Sequence, residues 1–386
     1  MEITKDIKYI GVDDLDIDLF ESQYIVPNGI SYNSYLIKDE KIAIMDTVDM
    51  RKSDIWWDNL NAALEGKTPD YLVVHHLEPD HAGSIGQVIE KYPNIKLVAS
   101  DKAVKMLPQF FENVDFTDNI ISIKEGDSLS LGEHTLTFYM APMVHWPEVM
   151  VSYDNKDKVL FSADGFGKFG ALSHEEDWAC EARRYYFNIV GKYGQPTQML
   201  LKKAATLDIQ IICPLHGPIL TENLGYYIGL YDTWSKYDVE TEGVFIAYAS
   251  LHGSTAKVAH KLAEILKEKG APKVSIADLC RDDMAEAVED AFRMGKLVVA
   301  ASSYEGGVFT PMHVFLHHLE SKKYQKRKVA IIENGSWAPC AGKIMHDTLA
   351  KMSNVEVVEP IVTIWSTMKQ KDIPALESLA ESILSK

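Results

Sequence analysis

The hydrophobic pattern changes character near residue 240. Before that point, short apolar runs at Ser34–Ile37 and Ile42–Met45 flank the charged Lys38-Asp39-Glu40-Lys41, which predicts two strands and a turn. Further strands are predicted at Tyr71–His75, Lys96–Ala99, Thr135–Met140, Val149–Tyr153 and Val159–Ser162, with a helix over Glu176–Val190. Up to about Glu90 the pattern is one of short strands and turns. Strands mixed with helices in this order predict an α+β layered domain.

After the polar stretch Tyr231–Gly243 the rhythm becomes regular. Val244–Ala249, Val274–Ala277, Lys296–Ala301, Lys328–Ile332 and Val355–Val358 read as five strands, with helical segments between them. One of these, Thr255–Lys269, is closed by Gly270. Alternation of this kind predicts a parallel sheet covered on both faces, of the size of a flavodoxin-like doubly wound domain. We therefore expect two domains, residues 1–240 and 241–386.

Composition narrows the possibilities. The 386 residues are 46% hydrophobic and 25% charged, ordinary for a globular protein. The net charge of −17 disfavours nucleic acid and anionic lipid as partners. The first twenty residues lack a basic start and an apolar core, so no signal peptide is expected. No apolar run of about 18 residues predicts a membrane span. Cys180, Cys213, Cys280 and Cys340 form no CxxC pair, which argues against a disulfide framework, an iron–sulfur cluster or a fused rubredoxin-type centre. A reduced cytoplasmic protein is the expectation.

The densest chemistry lies in His75-His76-Leu77-Glu78-Pro79-Asp80-His81-Ala82-Gly83-Ser84. His76, Glu78, Asp80 and His81 put two imidazoles and two carboxylates into six residues after a buried strand. Positions 76, 78 and 80 can share one side of an extended segment. A turn into a helix near Ala82 would let Asp80 and His81 reach one ion, so one loop can serve two metals. The bland alternative is a polar surface loop. Three further segments weigh against it: His145 in Val144-His145-Trp146-Pro147, Asp164 in Ala163-Asp164-Gly165, and His216 in Leu215-His216-Gly217. Each ends an apolar stretch.

HxExDH followed by separated His, Asp and His resembles the metallo-β-lactamase superfold in its flavodiiron branch. The resemblance extends to Gly29–Ile37 and Glu181–Tyr186 and spans most of the first domain. It implies an αββα sandwich. It also implies a first metal held by His76, Glu78 and His145, a second by Asp80, His81 and His216, and Asp164 bridging both. Asp46 resembles the superfold's structural aspartate, and Tyr193 is a candidate neighbour of the ligands. The segment from Asp164 to His216 is shorter than in many members. Three carboxylates against two ferrous ions leave a net charge of +1, suited to an anionic oxygen ligand. Mixed carboxylate–imidazole ligation suits iron without excluding zinc.

In the second domain, Ser250-Leu251-His252-Gly253-Ser254-Thr255 runs from a strand into a helix. Its hydroxyls and the helix N-terminus can wrap a phosphate, although Ser and Thr also cap helices routinely. Ser302-Ser303-Tyr304-Glu305-Gly306-Gly307 and Asn334-Gly335-Ser336-Trp337-Ala338 follow the third and fourth strands. These three loops resemble the phosphate and isoalloxazine loops of flavodoxins, which implies FMN with Tyr304 or Trp337 beside its ring. A flavin joined to a two-metal site favours iron, because zinc accepts no electrons.

The implied activity is reduction of dioxygen to water, of nitric oxide to nitrous oxide, or both. The resemblance also implies a head-to-tail homodimer or a dimer of dimers, with rubredoxin or another small carrier as electron donor. The alternatives are a zinc hydrolase, a deazaflavin-dependent oxidase, or an electron carrier that uses only its flavodoxin part.

Overall fold

The computed structural model describes residues 1–385 apart from 113, 115, 117 and 118. The chain forms two compact units: residues 1–186 with 195–232, and residues 187–194 with 233–386. Segment 187–194 thus leaves the first unit, where the continuous helix expected over Glu176–Val190 would have kept it. That helix stops at Tyr185 and passes into a wider π turn over Tyr186–Val190. Phe187 then stacks on Phe292 at 4.4 Å between ring centroids, and the Asn188 amide donates to the Ala285 carbonyl.

Two large sheets form the core of the first unit. One contains, in spatial order, Ile7–Tyr9, Tyr35–Lys38, Ile42–Met45, Tyr71–Val74, Lys96–Ser100 and Ile120–Ile123. The other contains Ser128–Ser130, Thr135–Met140, Met150–Asp154, Val159–Phe161 and Ile211–Cys213. Tyr35, Ile37, Met45, Val73 and Val98 of the first meet Leu136, Phe138, Met150 and Phe161 of the second in one buried cluster. The sheets therefore pack face to face, as a metallo-β-lactamase-like sandwich requires.

The region before Glu90 holds more helix than expected. Ser53–Leu64 is a twelve-residue helix that buries Trp56, Leu60, Ala63 and Leu64. Spacings of four, three and one residues put these side chains on one stripe. That stripe was hidden in sequence by the adjacent Trp57 and by polar Asp58 and Asn59. The helix expected near Ala82 follows the HxExDH loop as Ile85–Lys91.

In the second unit the parallel strands lie in the order Val274–Asp278, Thr241–Ala249, Met294–Tyr304, Lys328–Asn334, then Glu356–Val357 with Val362–Ile364. This is the doubly wound 2-1-3-4-5 order of flavodoxin-like sheets. The fifth strand is split where Pro360, which has no N–H to give the ladder, interrupts it. Among the described residues no helix is long and apolar enough to cross a membrane.

A candidate metal centre and a candidate cofactor cavity

Strand Tyr71–Val74 delivers His75 and His76 to the end of the first sheet. Glu78 then precedes a four-residue helix, Pro79–Ala82, that starts earlier than the turn expected near Ala82. The tight turn brings Asp80 and His81 together: His81 Nε2 lies 3.1 Å from Asp80 Oδ2. Gly83 is required for it, since a Cβ there would stand 2.7 Å from both Met50 N and Pro79 O.

The seven residues singled out in sequence converge as two groups. In one, His76 Nε2 is 3.2 Å from Glu78 Oε2 and 3.3 Å from His145 Nε2, and His145 Nε2 is 3.0 Å from Glu78 Oε2. In the other, His81 Nε2 and His216 Nε2 are 3.0 Å apart, and His216 Nε2 is 3.2 Å from Asp80 Oδ2. Asp164 faces both groups. Its Oδ2 lies 3.1 Å from His145 Nε2, and its Oδ1 lies 3.5 Å from His81 Nε2.

This donor set fits two cations. Donors about 2.1 Å from one ion stand about 3.0–3.4 Å apart in octahedral or tetrahedral spacing, the separations found here. Both carboxylate oxygens of Asp80 and of Asp164 are buried and, among the described residues, complete no hydrogen bond, with an imidazole Nε2 standing 3.1 Å from one oxygen of each. Burying charged oxygens without partners is costly, and a cation removes that cost. Burial by itself would raise the carboxyl pKa of Asp80 and Asp164; the surrounding histidines overcome it and hold both below the usual range. Burial would likewise lower His145, yet the Asp164 and Glu78 carboxylates pull it up to about 9. The cavity is thus electrostatically arranged for positive charge.

His216, at the end of the shorter segment, is held firmly: its Nδ1 lies 2.7 Å from the Ser31 carbonyl, and the Tyr185 ring packs 5.4 Å away. Tyr193 lies instead in the second unit, on the turn Gly191–Tyr193. Asp46 coordinates nothing in either group and binds His75.

Sequence reasoning passed over Glu148. Its Oε1 lies 2.8 Å from His76 Nδ1 and accepts the Leu77 N–H at 3.0 Å. The signal was a carboxylate three residues after His145, in His-Trp-Pro-Glu.

The second unit contains a cavity of about 610 Å³ at the carboxyl ends of the strands Thr241–Ala249, Met294–Tyr304 and Lys328–Asn334. The size suits a small-molecule cofactor. Ser250, His252, Ser254, Thr255, Ser302, Ser303, Tyr304, Glu305, Gly306, Asn334, Gly335, Ser336, Trp337 and Ala338 line it, joined by Leu251, Cys340, Ser366 and Thr367, while Gly253 and Gly307 do not. Gly253 adopts φ +83° immediately before the helix Ser254–Glu268. Gly307 pairs with Tyr304 in a hairpin whose tip, Glu305 and Gly306, is left-handed at both residues. Two hydroxyls also cap helices, as the bland reading of Ser and Thr has it. Ser250 Oγ accepts from Ala256 N, and Ser303 Oγ from Cys340 N and Ala341 N.

Comparison with known proteins agrees with both halves. Residues 30–217 match the family described as ODP family beta lactamase. The chain is 29% identical to a nitric oxide reductase of Moorella thermoacetica, over 100% of this chain and 98% of that protein. It is 26% identical to an anaerobic nitric oxide reductase flavorubredoxin of Vibrio vulnificus, over 95% of this chain and 76% of that longer protein. Rubredoxin oxygen:oxidoreductase from Desulfovibrio gigas superposes with a TM-score of 0.93 at 26% identity, covering 99% of this chain and 97% of that one. With a metallo-β-lactamase-like unit carrying paired His–carboxylate clusters and a flavodoxin-like unit carrying a cofactor cavity, the chain resembles the flavodiiron proteins along its whole length.

Proposed function

We propose that this chain is an oxidoreductase that reduces dioxygen to water, nitric oxide to nitrous oxide, or both, at a di-iron centre fed by FMN. The observation that carries this reading is Asp164, with one oxygen turned to each of two His–carboxylate groups. We assign His76, Glu78 and His145 to one iron, Asp80, His81 and His216 to the other, and Asp164 to both. FMN is assigned to the second-unit cavity: its phosphate to Ser250–Thr255, and its ring to the Ser302–Gly307 and Asn334–Ala338 loops. Iron held by these residues would supply one-electron redox chemistry, and FMN would supply one-electron transfer.

Within that scheme the chain's residues have distinct tasks. The imidazoles offer neutral nitrogen donors, and Glu78, Asp80 and Asp164 supply the negative charge that balances the metals. Trp146, edge-on to His76 at 5.1 Å, helps to keep water away from that imidazole. The balance is O2 + 4e− + 4H+ → 2H2O, or 2NO + 2e− + 2H+ → N2O + H2O. Each turnover therefore needs four electrons or two, which favours an electron reservoir on the same chain. A zinc hydrolase would have no use for one.

The electron donor proposed is a separate rubredoxin or similar small carrier. The working assembly proposed is a head-to-tail homodimer or a dimer of such dimers, acting in the cytoplasm. Anaerobically purified protein is expected to hold two irons and one FMN per chain and to consume either gas when reduced rubredoxin is supplied. Zinc-loaded protein that hydrolyses esters and ignores both gases would defeat the proposal. A forced monomer that keeps full turnover would defeat the dimer.

A further inference from the structure

The two halves of the metal centre are backed differently. Behind His76 stands a carboxylate, Glu148, whose Oε1 is 2.8 Å from the His76 Nδ1. Glu148 is 1% exposed, and its other oxygen, Oε2, is buried and has no hydrogen-bond partner among the described residues. Its backbone is fixed as well, since the Ser100 hydroxyl donates to the Glu148 carbonyl at 2.7 Å. Behind His216 stands only a neutral acceptor, the Ser31 carbonyl, at 2.7 Å from Nδ1. The His81 Nδ1 is buried and, among the described residues, has no hydrogen-bond partner.

We infer that Glu148 is a positioning residue that makes the two metal subsites unequal, so that the subsite of His76, Glu78 and His145 takes up the first ion. This rests on the ligand assignment proposed above. A carboxylate at Nδ1 holds the proton there and leaves the Nε2 lone pair to face Glu78, His145 and Asp164. It also makes the imidazole a stronger donor and adds a negative charge close to one cation. A carbonyl fixes the tautomer of His216 but brings no charge. His81 receives neither, so its ring has less to hold one orientation.

The difference can be read in metal affinity. Outer carboxylates of this kind change metal affinity by about 10–100-fold. The probe is Co2+ alone, titrated anaerobically into the metal-free full-length protein and followed by its visible absorption. The wild type is expected to bind two ions in two steps, and His145→Ala to lose the tighter one. Glu148→Gln keeps the shape and an acceptor but removes the charge. It is expected to weaken that same step about 10–100-fold while leaving the other unchanged. The unchanged step shows that the variant is folded. The Zn2+-loaded wild type should also show a His76 Nδ1–H in long-range 1H–15N spectra.

The inference is overturned if Glu148→Gln leaves both steps within twofold, if it weakens both equally, if His145→Ala removes the weaker step, or if His76 carries its proton on Nε2. A wild type that binds fewer than two Co2+ ions, or a His145→Ala variant that still binds two, would instead defeat the ligand assignment.

Discussion

Asp46 holds His75 through both carboxylate oxygens: Oδ1 accepts the His75 backbone N–H at 2.7 Å, and Oδ2 lies 2.5 Å from the ring Nδ1. His75 in turn reaches Ser152 Oγ with Nε2 at 2.7 Å. The first histidine of the loop is therefore spent on tying the two sheets together. Its neighbour His76 consequently projects toward Glu78, His145 and Asp164. Asp46 does this from a left-handed backbone, φ +57°, which Asn tolerates better than Ala. Asp46→Ala should cost about 2–4 kcal/mol, because it strands buried donors and strains the backbone. Asp46→Asn should cost less. Equal denaturation midpoints for wild type and the Ala variant would contradict this account.

Asp164 faces both groups, so its loss should disable the centre without touching the second unit. Asp164→Ala is expected to abolish gas reduction while FMN content and chemical reduction of the flavin stay normal. Iron analysis and stopped-flow flavin reduction check the two halves separately. Gas reduction that survives the substitution would move the chemistry to another site.

Trp337 is 88% exposed, so truncating it removes little packing from the protein itself. Trp337→Ala should leave thermal unfolding of the apoprotein within about 0.5 kcal/mol of wild type. FMN affinity should fall about tenfold, as expected for a lost aromatic contact. Gly335 is different, because a Cβ there would meet Pro339 Cα at 2.9 Å. Gly335→Ala should shift the loop and weaken FMN binding further. Fluorescence titration of apoprotein with FMN orders the two variants.

A pH dependence of stability is expected from a histidine outside the candidate metal centre. His134 is buried between Asp154, 3.1 Å from Nδ1, and Asp6, 3.4 Å from Nε2, with Lys156 also bound to Asp6. Burial would lower its pKa and Lys156 opposes its charge, but the two aspartates win and hold it above the ordinary value. A histidine raised in the folded state stabilises fully below the unfolded pKa of about 6.5. That contribution drains away as pH rises through the folded value. Relative to His134→Gln, the wild type should therefore be more stable at pH 5.5 and lose the margin toward pH 9. Urea unfolding across that range measures it, and a margin independent of pH would refute it.

Much of this protein was legible in its residues. Apolar runs of four to six residues marked most strands, because a buried strand needs continuous β-forming side chains. Regular alternation marked the doubly wound unit. The chemistry of His76, Glu78, Asp80 and His81 was legible because four donors in one short loop have few other uses. What only the tertiary structure decided was pairing between distant segments. The helix Ser53–Leu64 was masked by polar neighbours, and the passage of the predicted helix into a π turn at Tyr186–Val190 goes with the stacking of Phe187 against Phe292. The two oxygens of Asp164 were one letter in the sequence; facing two groups is a matter of three dimensions. The same holds for Glu148, which is 72 residues from His76 along the chain and 2.8 Å from it in space. Local order is written in periodicity and residue type. The inequality of two otherwise similar histidine pairs is set by what packs behind them, and packing is a property of the folded whole.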